Sequence, residues 1–349
     1  MSSHKMVVRR IQVTGKSTYI ISLPKRWVDE SKLNKGDPLQ IIEQDDSTLT
    51  LLPRERPREE KPRAISTVVS SSDSPDSIIR RVVSFYVIGY NIIKITAKER
   101  FTPEQRGTLK DFVRRDLVGV EMLTDSSNEF TIQNLLGHSE LSVGNALRRM
   151  ALIAVSMHRD AMVALKEDDK RLAQTIIRTD DEVDRFNFYL IRQLRNAAND
   201  SQITREIGLK TPGDCLGYRP ITNYVERAAD HAVNIAKAVL NMKPVDPTLV
   251  ARIVDMSDHA SSIFEKAIHS LFSNDYDEAE DALTRMKMIG SYETDLIKTI
   301  IATQHDPNTV AGLRIIIESV RRLAKYGIDI AELVLDLTAE KIGTQMPVR

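Results

Sequence analysis

From about residue 140 to residue 338 the apolar residues recur at alternating intervals of three and four, the period of amphipathic helices. The clearest stretch runs through Val310, Leu313, Ile317, Val320, Ala324, Gly327, Ala331, Val334 and Leu337. Five polar breaks divide the region into six helices. They lie near residues 166–169, 210–217, 243–247, 274–277 and 305–308. The chain has only 8 Phe, 9 Tyr and 1 Trp, so its cores must be mostly aliphatic, which is typical of helix bundles.

The six helices fall into two sets of three. Residues 225–236 match residues 320–331 position for position in their apolar stripe. The pattern therefore predicts an internal duplication, with one three-helix repeat over 137–242 and a second over 243–342.

Four acidic residues of the first repeat have a spacing that suits a cation. Asp180 and Asp184 belong to its second helix, and Glu226 and Asp230 to its third. Residues four apart lie on one helix face, so each pair can bind one cation or neighbouring cations. Asp180 also coincides with the apolar stripe, where a carboxylate is costly unless it is paired or metal-bound. The alternatives are a salt bridge to Arg178, Arg185 or Arg227, or simply an exposed face of the bundle.

Two segments, Asp180-Asp181-Glu182-Val183-Asp184 and Glu226-Arg227-Ala228-Ala229-Asp230, resemble the D/E-x-x-x-D motifs of the PhoU family. This resemblance implies two tandem three-helix bundles and a multinuclear metal site of Fe, Zn, Mn or Mg. It implies a regulator of phosphate uptake rather than an enzyme, with no catalytic residues. The implied partners are the phosphate-transporter ATPase subunit or a sensor kinase.

The second repeat departs from this motif. Arg321 and Lys325 stand where Glu226 and Asp230 stand in the first repeat. Met286 and Gly290 replace Asp180 and Asp184, although a gap could align Asp295 instead. Cationic and apolar side chains do not bind metal cations, so we expect one site per chain.

The N-terminal 35 residues carry eight Lys or Arg against Asp29 and Glu30, which suggests an anionic partner. Residues 7–13, 19–23, 39–42 and 49–52 are β-rich, with a turn at Thr14-Gly15-Lys16 and a helical turn over 25–28. So small a module buries little surface alone, which predicts an obligate homodimer.

The segments Val8-Arg9-Arg10-Ile11-Gln12-Val13-Thr14-Gly15 and Ser22-Leu23-Pro24-Lys25-Arg26-Trp27 resemble the AbrB/SpoVT swapped-hairpin family. The resemblance implies an intertwined dimer that binds DNA. The residues at the DNA-contacting positions are Arg9, Arg10, Lys16, Lys25 and Arg26. The joint architecture is similar to archaeal AbrB–PhoU fusions.

Between these regions lie a Pro-rich charged linker and a small α/β layer. Residues 54–64 form the linker that separates the module of residues 1–53 from the rest. Residues 65–136 alternate strand, helix, strand, helix, strand and strand, which is typical of an α/β domain. The fold class is therefore multidomain: a β module, a small α/β domain and an all-α C-terminal region.

No apolar run approaches the roughly 18 residues needed to span a bilayer, so we expect no membrane insertion. The single cysteine, Cys215, excludes an internal disulfide framework and fits a cytoplasmic protein.

Two further functions remain open from the sequence. The first is an AbrB-type transcriptional regulator whose bundles sense a signal other than phosphate. The second is a metal-dependent phosphohydrolase-like enzyme, which the absence of a recognisable general base or nucleophile beside the carboxylates disfavours.

Overall fold

The computed structural model describes residues 6–15, 17–43, 47–53, 62–138, 140–303, 306–339 and 342–343. The chain divides into two compact units, Met1–Lys61 and Pro62–Arg349. The second unit contains both the α/β layer and the helices. Most of the expected linker, residues 54–61, lies outside the described residues.

The first unit consists of two antiparallel hairpins and one short helix. Strand β1 (Gln12–Thr14) pairs with β2 (Thr18–Ile20), and β3 (Leu39–Glu43) pairs with β4 (Leu49–Pro53). Helix α1 (Lys25–Glu30) lies between the hairpins in sequence and begins directly after Pro24, as proline at a helix start predicts.

Strand β1 begins later than the β-rich stretch 7–13 predicts. The described residues before Gln12 are exposed and pair with no strand of their own chain. Their β-rich sequence therefore lacks a ladder partner within one copy. None of the side chains described between residues 6 and 53 is buried.

The second unit opens with a four-stranded sheet in the order β5-β6-β8-β7. Strands β5 and β6 are parallel, and the other neighbours are antiparallel. The elements in chain order are β5 (Ala64–Val69), α2 (Pro75–Ile88), β6 (Ile92–Ala97), α3 (Pro103–Asp116), β7 (Val120–Asp125) and β8 (Glu129–Asn134). Apolar residues of α2 and α3, among them Val82 and Leu109, share a core with Ile93 and Ile95 of β6. This confirms the strand and helix pattern expected from the sequence.

The remainder is helical, with one continuous aliphatic core. The helices are α4 (Val143–Glu167), α5 (Lys170–Ala197), α6 (Ser201–Glu206), α7 (Asp214–Asn241), α8 (Pro247–Ser273), α9 (Tyr276–Thr284), α10 (Met286–Ala302) and α11 (Pro307–Thr338). Aspartate side chains cap five of them, at Asp169, Asp200, Asp246, Asp275 and Asp306. None of the described helices combines the length and apolar character that crossing a bilayer requires.

The expectation of six helices was wrong in two places. The connection between α5 and α7 contains the short helix α6. The expected second helix of the second repeat is broken into α9 and α10 at Arg285, whose backbone N–H donates to Ala282 three residues earlier. That 3₁₀-type bond closes α9 and interrupts the α-helical pattern.

Helices α4, α5 and α7 pack on one another, while α11 packs on α8, α9 and α10. Contacts between α4 and α8 and between α7 and α11 join the two sets. Helices α2 and α3 of the α/β layer pack on α5. The buried Arg192 of α5 strengthens this junction because its guanidinium donates to the backbone oxygens of Tyr86 and Tyr90, at 2.5 and 2.8 Å.

Candidate cation site and basic N-terminal surface

Four carboxylates meet where α5 packs against α7. Asp180 and Asp184 lie on α5, and Glu226 and Asp230 lie on α7. We call these four residues the acidic seam. The sequence interpretation placed Asp180 in the core, but the structure makes it half-buried, at the margin of the apolar stripe. The i, i+4 spacing keeps each pair on one helix face, so the seam follows directly from the motif.

The carboxylates of the seam are harder to ionise than isolated ones. Burial first, and then repulsion from Asp184, Asp230 and Glu226, raises the pKa of Asp180 to about 7. Burial and repulsion from neighbouring carboxylates also raise the pKa of Glu226 to about 7 and that of Asp184 to about 6. Burial raises the pKa of Asp230 as well. Ionising the whole seam near neutral pH therefore opposes folding unless a positive charge compensates.

Arginine does not provide that compensation by direct pairing. Among the residues that the structure describes, none of the four carboxylates forms an ion pair. Arg227 opposes the rise in pKa of Glu226 and Asp230 at longer range, and it remains exposed. The arginine alternative therefore has no contact to support it in this conformation.

The donor chemistry of the seam fits a hard cation, because every side chain offers oxygen. As the side chains lie, however, no three His, Cys, Asp or Glu within the described ranges are arranged to hold a metal ion. Asp180, Asp184, Glu226 and Asp230 would have to rotate about their side-chain bonds to share one ion. Such an ion would supply charge that offsets their mutual repulsion.

The α/β layer adds an acidic residue that sequence reasoning missed. Asp116, at the end of α3, is 5% exposed, and its carboxylate also raises the pKa of Asp184. Arg115 links the α/β layer to α5, because its Nε lies 3.3 Å from carboxylate oxygens of both Asp116 and Asp181. Asp116 lies 64 residues before Asp180 in sequence, so no local motif could have linked it to the seam.

The second repeat has a different arrangement at the matching place. Arg321 of α11 makes a two-pronged contact with Glu318, at 2.7 and 2.9 Å, and lies 3.6 Å from Glu293 of α10. Lys325 pairs with Asp329 at 2.9 Å. Negative charge here is compensated by the chain's own cations. This agrees with the expected departure from the metal-binding motif. Met286, Gly290 and the exposed Asp295 all lie on α10, and Glu293 was not anticipated.

Four of the five predicted DNA-contacting residues, Arg9, Arg10, Lys25 and Arg26, are exposed. Arg26 pairs with Glu30 one helical turn later, at 2.7 Å, so part of its charge is engaged. The fifth, Lys16, lies outside the described residues. The structure therefore leaves Arg9, Arg10 and Lys25 on the surface of the first unit.

Comparison with known families identifies the helical part. The PhoU domain matches twice, over residues 147–239 and 253–334, and the two segments together cover half of the chain. The chain belongs to the PhoU family. The double match agrees with the duplication read from the apolar stripe. Residues 12–59 match the family described as antidote-toxin recognition MazE, bacterial antitoxin, so the N-terminal module is similar to a MazE/AbrB-like domain.

Two similar curated proteins both carry the name phosphate-specific transport system accessory protein PhoU homolog. The one from Caulobacter vibrioides is 23% identical over 211 residues, which cover 57% of this chain and 88% of the relative. The one from Clostridium acetobutylicum is 27% identical over 155 residues, covering 42% of this chain and 64% of the relative.

Two solved structures are also similar. PhoU from Streptococcus pneumoniae, described as a phosphate transport system regulatory protein, has 20% identity and a TM-score of 0.49, covering 58% of this chain and 96% of its own. PhoU from Pseudomonas aeruginosa has 19% identity and a TM-score of 0.48, covering 57% and 96%.

Proposed function

We propose that this chain regulates phosphate uptake by coupling a dimeric DNA-binding module to two tandem three-helix PhoU bundles. The observation that carries the proposal is the double PhoU match, whose first copy contains the acidic seam. The relatives are named as accessory and regulatory proteins of phosphate transport, which favours regulation over catalysis. The partners we propose are the phosphate-transporter ATPase subunit or a sensor kinase.

The DNA-binding part of the proposal rests on the basic first unit. Arg9, Arg10 and Lys25 are exposed there, and the MazE/AbrB-like match covers most of this unit. Phosphate contacts by such side chains release counterions from duplex DNA. The proposed domain borders are those of the sequence interpretation, with residues 1–53 as the DNA-binding and dimerisation module.

The cation part of the proposal rests on the seam. Asp180, Asp184, Glu226 and Asp230 would hold one site per chain, occupied by Fe, Zn, Mn or Mg. The cation would join α5 to α7 by neutralising carboxylates that otherwise repel each other. Because α5 also contacts the α/β layer, through Asp181 and Arg192, the site is placed to influence both parts of the second unit.

Genome-wide mapping of the DNA sites that the full-length protein occupies tests whether DNA binding is coupled to phosphate. We expect occupancy near phosphate-transport genes that changes between phosphate excess and phosphate starvation. Occupancy that ignores phosphate but follows another nutrient would favour the alternative regulator, and an absence of bound sites would contradict the DNA-binding role.

Charge removal tests the basic surface. We expect each of Arg9→Ala, Arg10→Ala and Lys25→Ala to weaken binding to duplex DNA across all sequences. Each phosphate contact that is lost should reduce the slope of log affinity against log salt by roughly 0.9, and a substitution removes two such contacts from a dimer whose copies both bind the duplex. Titrations of labelled duplex at several salt concentrations measure this slope.

The matched control for this titration is Lys98→Ala, an exposed cation of the second unit. It should leave both affinity and slope unchanged. If the three N-terminal variants behave like this control, the module serves dimerisation alone.

A further inference from the structure

Asn187 of α5 is a buried polar residue whose oxygen has no partner within the described chain. The side chain is 7% exposed, and its Oδ1 accepts no hydrogen bond from the described residues. A buried amide oxygen in this state is unfavourable, and native proteins normally satisfy such atoms. The position of Asn187 on α5 therefore determines which group could interact with this oxygen.

Asn187 lies on the same face of α5 as the acidic seam. At about 100° per residue, it is roughly 20° from Asp180 around the helix and roughly 60° from Asp184. Helices α5 and α7 pack on each other and run antiparallel, because Lys170 at the start of α5 donates to the backbone oxygens of Val239 and Met242 at the end of α7. Asn187, one turn beyond Asp184, is therefore opposite α7 one turn before Glu226.

At that level of α7, the polar groups are already engaged with each other. Arg219 Nη1 donates to Asn223 Oδ1. Burial lowers the pKa of Arg219, and the nearby carboxylate of Glu226 opposes this fall. The seam therefore ends in a cation at Arg219, and Asn187 lies between that end and the carboxylates.

The other buried side-chain atom without a partner in the described chain, His158 Nδ1, does not belong to the seam. His158 donates through Nε2 to the oxygen of Ala228, at 2.7 Å. Ala228 is two residues after Glu226, about 200° away around α7. His158 therefore lies on the far side of that helix.

We propose that Asn187 is a further cation ligand, contributing its Oδ1 beside Asp184 and Glu226 to the seam. The inference rests on the proposed cation site and adds a residue outside the D/E-x-x-x-D motifs. A neutral amide oxygen raises the number of ligands without adding a further negative charge to the seam. An all-oxygen set of carboxylates and one amide favours a hard divalent cation such as Mn²⁺ or Mg²⁺ over ions that prefer His or Cys.

Calorimetric titration of the metal-stripped full-length protein with Mn²⁺ tests this assignment. In Asn187→Leu, which keeps a similar volume but removes the oxygen, we expect Mn²⁺ affinity to fall at least tenfold. The melting temperature of the metal-free variant should not fall, because the unsatisfied oxygen is gone. Asn187→Asp keeps an oxygen ligand at this position, so its Mn²⁺ affinity should stay within a few-fold of the wild type.

The outcomes separate this inference from the site on which it rests. If Asn187→Leu binds Mn²⁺ like the wild type while Asp180→Asn with Asp230→Asn abolishes binding, Asn187 is not a ligand and the seam site stands. If Asn187→Leu lowers the metal-free melting temperature and leaves affinity unchanged, the residue is structural. If the wild type binds neither Mn²⁺ nor Mg²⁺, the inference fails, and retained binding of Fe or Zn would leave the proposed site in place.

Discussion

Replacing Asp180 and Asp230 together by asparagine will raise the stability of the metal-free protein at pH 8 and abolish its response to added cation. Each substitution removes a charge from the acidic seam but keeps the shape of the side chain. Fe, Zn, Mn or Mg then has too few carboxylates to bind. Thermal unfolding of chelator-treated protein, with and without each cation, measures both effects.

The raised pKa values of the acidic seam make the stability of the metal-free protein depend on pH. In the folded protein the pKa is about 7 for Asp180 and Glu226 and about 6 for Asp184, whereas the ordinary values are 3.8 for Asp and 4.5 for Glu. The folded state therefore binds more protons than the unfolded state between these limits, so stability falls as the pH rises from about 4 to about 7. Each pKa unit corresponds to about 1.4 kcal/mol for a fully buried group, and solvent screening reduces this contribution for groups that are only half-buried.

We expect wild-type protein without metal to unfold at a lower temperature at pH 8 than at pH 5, and added cation to reverse the difference. The double variant should not respond to cation, and its difference between the two pH values should be smaller, because burial still raises the pKa of Glu226 and Asp184. Arg321→Gln is the internal control from the second repeat. It removes the contacts of Arg321 with Glu318 and Glu293, so it should lower stability while the response to cation persists. Metal-free protein that is equally stable at both pH values would contradict the repulsion argument.

Local patterns predicted the helices well because their ends are set by nearby residues. Asp169, Asp246 and Asp306 each accept backbone hydrogen bonds from the first turn of the helix that follows. Polar caps of this kind are visible as breaks in the apolar period. The break at Arg285 was missed because the apolar period continues across it, and the interruption lies in a single backbone hydrogen bond.

The acidic seam was predictable to the extent that a motif spaces its residues. Asp180 with Asp184, and Glu226 with Asp230, follow from the four-residue repeat of a helix. The half-buried environment of Asp180, Asp184 and Glu226 does not follow, because it depends on how closely α5 and α7 approach. Asp116 was missed because it comes from another layer of the fold, and Asn187 was missed because its significance lies in a buried oxygen that no described residue satisfies.

Introducing aspartate at both Val13 and Tyr19 will convert a dimer of the full-length chain into a monomer. These residues are opposite each other across the β1–β2 hairpin. They are 62% and 75% exposed in one copy, beside the exposed Ile11 and Ile20. A unit with strands but no buried side chain among its described residues has too little apolar area to be stable alone. A second copy that covers these apolar residues would supply the missing core.

Sedimentation of the full-length protein measures the change as a twofold drop in mass. DNA affinity should fall with it, because two linked modules bind with a higher effective concentration than one. Leu123→Asp is the matched control, since Leu123 is an apolar side chain that is 55% exposed in the second unit. It introduces one aspartate, against two in the double variant, at comparable exposure and should leave the dimer intact. Wild-type protein that sediments as a monomer, or a double variant that remains dimeric, would show that the first unit does not join the two copies.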